Sequence, residues 1–393
     1  MTAFIDLKTQ FARIQDDVEQ AVCSVMRSGQ FILGPVVAEL EERLAQYAGT
    51  RHCVSCASGT DALVMALMAK GVGPGDAVFT VPFTFMATAE AIATVGATPV
   101  FVDIEPDSFN MDPRALDRAI KALNAADRSI HPLPGLDHEA LEALRPKAVI
   151  AVDLFGLTAD YPAINGIAAK HGLFVIQDAA QSFGASADNR RAGSMADIGC
   201  TSFFPAKPLG CYGDGGAVFV DDADLDAVLR SIRVHGQGSD KYENIRLGIT
   251  GRLDAMQAAV LLTKLAIFDD EMGERQRVAR SYSTTIADSG LPLVVPTVPE
   301  THRSAWAQYT LIAADSASRE LFMSRLAERS VPTAIYYAKS LHEQEAFAYL
   351  GYARGDFPVS EDMSERVFSV PMHPYLEDSQ IRSIVDAMKG GEL

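Results

Sequence analysis

Lys207 stands in SFFPAKPLGCYGDGGAVF (202–219), between an apolar run and a turn with glycines at 210, 213, 215 and 216. A lysine with apolar neighbours has its ammonium form disfavoured, which frees the amine for Schiff-base chemistry. Taken alone, such a lysine is most simply a side chain snorkelling from a loop. Three further stations change that reading. Ser58-Gly59-Thr60 follows a short strand-like stretch and opens an Ala/Leu/Met-rich helix. Free amides at a helix start, two hydroxyls and a glycine that permits close approach suit an anion, although the same residues also serve as an ordinary N-cap. Asp178 ends LFVIQD (173–178), and an acid emerging from an apolar strand needs a cation or a cap to serve. Ser202 lies near the end of its own strand, just before Lys207. An anion cradle, an acid at a strand end and a lysine in a Gly-rich turn are together what pyridoxal phosphate requires.

Those residues need a scaffold, and hydrophobic periodicity supplies one. Helix-period positions run over 10–28 and 36–48, separated by a Gly- and Pro-bearing loop at 29–35. Short apolar runs at 77–81, 98–102, 148–153, 173–178, 198–204 and 217–220 read as strands, with helices at 62–69, 87–95 and 163–171. Continuous apolar strands alternating with helices predict an α/β fold on a buried, mostly parallel sheet. In such sheets ligands sit beyond the carboxyl ends of the strands, where Asp178 falls. Helices at 253–268 and on to about 286 follow. From Pro292 onward a strand at 309–313 and helices at 318–328 and 376–389 describe a smaller α+β unit. We divide the chain into an N-terminal arm (1–30), a large α/β domain (31–268) and a small C-terminal α+β domain (269–393). The polar segment 124–138 reads as a surface loop.

The chain has 393 residues, 48% hydrophobic, with a net charge of −17. That balance argues against a general nucleic-acid or anionic-membrane surface, though not against a small anionic ligand. No signal peptide or membrane-length apolar run is apparent. Five cysteines, an odd count in a long chain, suit reduced thiols in a cytoplasm. Cys53 and Cys56 have CxxC spacing, but without a second pair they read as buried packing and no metal site is expected.

Lys207 in SFFPAKPLGCYGDGG, Asp178 in QDAAQSFGA, ASGTDAL (57–63), FTFMAT (83–88) and QFILGP (30–35) resemble the DegT-type nucleotide-sugar aminotransferases, which are fold-type I pyridoxal-phosphate enzymes. The likeness runs from Phe4 to Tyr375. The KPLGCYGDGG form is most similar to the 3-aminotransferases of UDP-2-acetamido-2-deoxy-3-keto-glucuronic acid, which serve surface polysaccharides. The resemblance implies a mostly parallel central sheet with helices on both faces and a smaller C-terminal domain. It makes Lys207 the residue that binds the cofactor's aldehyde carbon and then shuttles the proton. Asp178 pairs with the pyridinium nitrogen, Gln181 reaches O3′, Phe85 stacks on the ring, and Gly59, Thr60 and Ser202 hold the phosphate. It further implies a homodimer with shared sites, in which Thr250 reaches the neighbour's phosphate, and glutamate as the amino donor. Gln30, Phe31, Arg252, Tyr336 and Tyr337 are its candidates for the nucleotide-linked keto-sugar. The guanidinium of Arg252 suits a diphosphate or a uronate carboxylate, and equally an ion pair with Asp254.

Two positions depart from the family pattern. Thr250 stands where asparagine is usual, offering one donor in place of two. Tyr336 stands where a histidine is expected near the substrate, in IYYA (335–338). Other readings compete less well. Sugar dehydratases of this fold carry histidine at the position of Lys207, and GDGG (213–216) is not a dinucleotide fingerprint. A non-catalytic regulator of the same fold has no need of Lys207 and Asp178.

Overall fold

The computed structural model describes residues 2–240 and 242–389. Its strands are β1 (His52–Cys56), β2 (Asp76–Thr80), β3 (Thr98–Phe101), β4 (Arg145–Val152), β5 (Phe174–Asp178), β6 (Ser186–Ala187), β7 (Arg190–Arg191), β8 (Ile198–Ser202), β9 (Gly216–Val220), β10 (His302–Arg303), β11 (Tyr309–Ile312) and β12 (Val367–Val370). The helices before β8 are α1 (Leu7–Ser28), α2 (Pro35–Ala48), α3 (Gly59–Ala69), α4 (Ala87–Thr94), α5 (Pro113–Ala125), α6 (His138–Ala143) and α7 (Tyr161–Lys170). After β9 come α8 (Ala223–Ile232), α9 (Ala255–Leu265), α10 (Phe268–Ser289), α11 (Ser316–Glu328), α12 (Pro358–Arg366) and α13 (Asp378–Lys389).

Seven strands form the central sheet in the order β1-β9-β8-β5-β4-β2-β3. All neighbours are parallel except β9, which runs antiparallel to both β1 and β8. Every residue of β2 and β9 is buried, as a sheet covered on both faces demands. Alternation sorts the side chains: Ala77 and Phe79 of β2 pack with Leu116 and Ile120 of α5 and Ile164 of α7, while Val78 packs with Leu63 and Leu67 of α3 and Ile92 of α4. Cys53 and Cys56, three apart on a strand, point to opposite faces and into different cores, so they cannot act as a pair.

The second layer is the antiparallel pair β11 and β12, packed with α10, α11 and α13 through Tyr282, Leu311, Phe368 and Ile384. Helix α10 serves both cores, with Phe268 and Met272 under the central sheet and Val278, Tyr282 and Ile286 in the C-terminal cluster. Residues 124–138 run along the surface as the sequence suggested, most of them exposed, but the loop is pinned at its middle. His131 and Leu133 are buried, His131 Nε2 lies 2.8 Å from the Phe101 carbonyl, and Gly135 N donates to Leu350 O at 2.6 Å. The segment satisfies its polar groups internally, which is why a polar composition can be packed. Among the described residues no helix is long and apolar enough to cross a membrane.

Candidate active site

The predicted chemistry gathers where β5 and β8 end and α3 begins. Ser58 caps α3, its Oγ accepting from Asp61 N at 3.0 Å, so the bland reading of this serine holds. Intrahelical bonding starts with Ala62 N donating to Ser58 O at 3.0 Å, which leaves the Gly59 and Thr60 amides in the unsatisfied first turn. Glycine at 59 is a packing requirement: a Cβ there would lie 2.6 Å from Ser202 Cβ. A Cβ on Gly216 would meet Ser58 O at 2.3 Å, so β8, β9 and the start of α3 converge on one spot.

Lys207 rides on a tight turn. Its own N donates to Phe204 O at 2.8 Å and Cys211 N donates to Phe203 O at 2.8 Å. Gly210 sits so close to the preceding chain that a Cβ would fall 2.5 Å from Pro205 O. Burial pushes the Lys207 amine below its ordinary pKa, with the Asp178 carboxylate pulling the other way. Asp178 is buried; its Oδ2 accepts from Thr88 Oγ1 at 2.9 Å and its Oδ1 from Ala180 N at 3.2 Å. Burial raises its pKa against those two hydrogen bonds and the charge of Lys207. Gln181 is fixed from two sides, accepting from Phe155 N at 2.8 Å and donating to Tyr337 OH at 3.2 Å. Phe85 leaves 57% of its surface exposed, unusual for so apolar a ring, with Tyr337 6.4 Å away.

A cavity of about 870 Å³ brings together Gly59, Thr60, Phe85, Asp178, Gln181, Ser202, Lys207, Tyr336 and Tyr337. Gln30, Phe31, Thr250 and Arg252 do not line it. Gln30 and Phe31 are exposed, and Phe31 O accepts from Ala255 N at 2.9 Å. Thr250 Oγ1 lies 2.7 Å from His235 Nε2. Arg252 is not paired with Asp254, and its buried Nε has no hydrogen-bond partner among the described residues. In a single chain these four lie outside the cavity. Thr88, Asp214, Gln308, Lys339 and Gln344 also line the cavity and escaped the sequence reading. Thr88 and Asp214 sit in quoted motifs; Gln308, Lys339 and Gln344 do not.

These residues fit pyridoxal phosphate. The cradle at Gly59 and Ser202 is closed to any side chain, a buried carboxylate awaits a positive partner, and an amine of lowered pKa faces the same space. The volume falls within the range of about 300–1,000 Å³ usual for small-molecule sites.

Residues 12–389 match the DegT/DnrJ/EryC1/StrS aminotransferase family. The chain is 45% identical over 388 residues, 99% of each chain, to the UDP-2-acetamido-2-deoxy-3-oxo-D-glucuronate aminotransferase of Pseudomonas aeruginosa. It is 38% identical over 383 residues to a pleiotropic regulatory protein of Geobacillus stearothermophilus, covering 97% of this chain and 96% of that one. A crystal structure of a DegT/DnrJ/EryC1/StrS aminotransferase from Brucella abortus superposes with a TM-score of 0.91 at 48% identity, over 99% of both chains. The chain belongs to the DegT/DnrJ/EryC1/StrS aminotransferase family and is a pyridoxal-phosphate-dependent aminotransferase.

Proposed function

We propose that the chain transfers an amino group from glutamate to carbon 3 of UDP-2-acetamido-2-deoxy-3-keto-glucuronic acid, a step toward surface polysaccharide. The observation that carries the chemistry is the meeting of Lys207, Asp178 and the Gly59–Ser202 cradle in one cavity. The similarity to the Pseudomonas enzyme supports the substrate. The bound cofactor supplies an electron sink that eases loss of the proton beside the amine. The Lys207 amine, whose ammonium form is disfavoured by burial, would take that proton from the donor's α-carbon and would later return a proton to the sugar carbon that receives the amine. Asp178, held in one orientation by Thr88 and Ala180, would pair with the pyridine nitrogen and favour its protonated form. The Gly59 and Thr60 amides and the Ser202 hydroxyl bind the phosphate. Gln181 would hold the ring's O3′ and Phe85 would cover its face. Tyr336 and Tyr337 bound the sugar pocket.

The same reading includes a cytoplasmic homodimer with shared sites, in which Thr250 of one copy reaches the cofactor phosphate of the other, while Arg252, Gln30 and Phe31 serve the substrate. The unpartnered Nε of Arg252 suits it to a diphosphate or carboxylate oxygen. The three-part organisation (1–30, 31–268, 269–393) is proposed along with it. The test supplies purified holoenzyme with glutamate and a panel of UDP- and dTDP-linked 3-keto and 4-keto sugars. Faster turnover of the UDP-linked 3-keto uronate is expected. A preference for 4-keto sugars overturns the substrate assignment, and a visible cofactor band that survives Lys207→Ala overturns the role of Lys207.

A further inference from the structure

Behind the turn that carries Lys207, on the side away from the cavity, lies one face of α9. Gln257 and Lys264 stand seven residues apart on that helix, two turns along one face. Gln257 brackets the Tyr212 backbone: its Oε1 accepts from Tyr212 N at 2.8 Å and its Nε2 donates to Tyr212 O at 3.4 Å. Lys264 is 1% exposed, yet among the described residues it is not paired directly with an acid. Its Nζ donates to Gly210 O at 2.6 Å and lies 4.2 Å from the centroid of the Tyr212 ring. The acid whose charge acts on it is Glu271 on α10, whose carboxylate is already engaged by Gln10 Nε2 at 2.9 Å and by Tyr375 OH.

A buried ammonium is costly, and leucine would fill such a position at lower cost. Burial draws the Lys264 amine down to about 8, against the pull of Glu271 and Cys211. What the lysine gains is a hold on Gly210, the residue already jammed against the Phe204 and Pro205 carbonyls at the other end of the turn. With Gly210 O fixed from behind and Lys207 N bonded to Phe204 O, the direction in which the Lys207 side chain leaves the turn is set. We propose that Lys264 is a positioning residue: with Gln257 it forms a rack on α9 that aims Lys207 into the cavity. The proposal rests on Lys207 being the lysine that reacts with the cofactor.

The test compares wild type, Lys264→Met, Lys264→Arg and Gln257→Leu as holoenzymes. Four readouts are taken: the visible absorbance of the bound cofactor across pH, amide exchange over 205–216, kcat against KM, and thermal stability. Lys264→Met is expected to shift the pH titration of the visible band and to speed exchange in the turn. A misplacement of this kind lowers kcat about 10- to 100-fold with little change in KM. Lys264→Arg restores most of the rate and Gln257→Leu lies between. If Lys264→Met melts earlier but keeps the wild-type band, titration and kcat, the lysine is structural only and the proposal is overturned. Should Lys264→Met not fold, Gln257→Leu decides: an unchanged band and kcat overturn the rack, a shifted band and lowered kcat support it. Loss of the band in Lys207→Ala separates failure of this inference from failure of the reading it rests on.

Discussion

A carboxyl group buried at the end of an apolar strand, with one hydroxyl and one amide to serve it, is poorly placed to be ionised. That is the situation of Asp178 until a cation joins it. Asp178→Asn is therefore expected to separate stability from activity. The cofactor-free protein keeps or gains thermal stability, because a neutral amide avoids the desolvation cost. Loss of an electrostatic partner preorganised at the reacting centre costs about 10²- to 10³-fold in kcat. Differential scanning fluorimetry and single-turnover kinetics on one preparation check both halves. A residue like this is legible in sequence because strand, acid and turn are neighbours along the chain. Lys207, Gly59 and Ser202 were legible for the same reason. Thr88, Gln308 and Lys264 were not, because what matters about them is a contact across many residues. Lys264 in AMQAAVLLTKL (255–265) looks like the basic last turn of any helix.

Elements show the same divide. The apolar runs of the sheet announce themselves, but nothing in GAVFV (216–220) tells which way the strand runs, since a fully buried strand reads the same in either direction. Helices α5 and α8 pass unnoticed in the sequence reading, although both begin at an aspartate cap, Asp112 and Asp222. What ties α8 and α2 to β1 is a charged cluster. Glu41 accepts from Ser55 N at 3.0 Å and pairs with Arg230 at 2.7 Å and with the buried Arg233, which itself donates to Ser55 O at 3.0 Å. The two guanidinium charges and the Ser55 hydrogen bonds outweigh burial and hold the Glu41 carboxyl below its ordinary pKa. Removing one member strands the others. Glu41→Gln leaves Arg233 buried without its countercharge and is expected to cost about 3–5 kcal/mol in urea unfolding. Adding Arg233→Met to that variant should recover much of the loss, and a double variant no better than Glu41→Gln argues against the pairing as the cause.

At the scale of the whole molecule, acid sensitivity turns on where the chain ends meet. His373 is buried beside Asp6, the cap of α1, and Arg275 of α10. Burial, aided by Arg275, pulls its pKa down to about 4 against the opposing charge of Asp6. As pH drops below the ordinary histidine range the unfolded chain takes up this proton and the folded one does not. Stability is therefore withdrawn between about 6.5 and 4, by up to about 3 kcal/mol for this one group. Asp153 works the other way, its pKa raised to about 6 by burial, so its contribution grows as pH falls through that value. His373→Gln removes only the first effect. The variant should lose less stability than wild type between pH 7 and 4.5, read as the shift of the urea midpoint. An identical shift in both proteins would show that His373 is not the group responsible.

The single reversed strand also dictates when in the life of the chain a site can exist. β1 and β8 do not touch in the sheet; each is hydrogen-bonded to a different edge of β9. The start of α3 follows β1, and Ser202 ends β8, so the two halves of the cradle are brought together by β9 between their strands. A nascent chain halted before residue 216 holds Gly59, Asp178, Ser202 and Lys207 and has no means of assembling them. Cofactor capture then marks a chain made at least as far as β9, because the vitamin-derived ligand finds its cradle only after the last strand of the central sheet has been laid down.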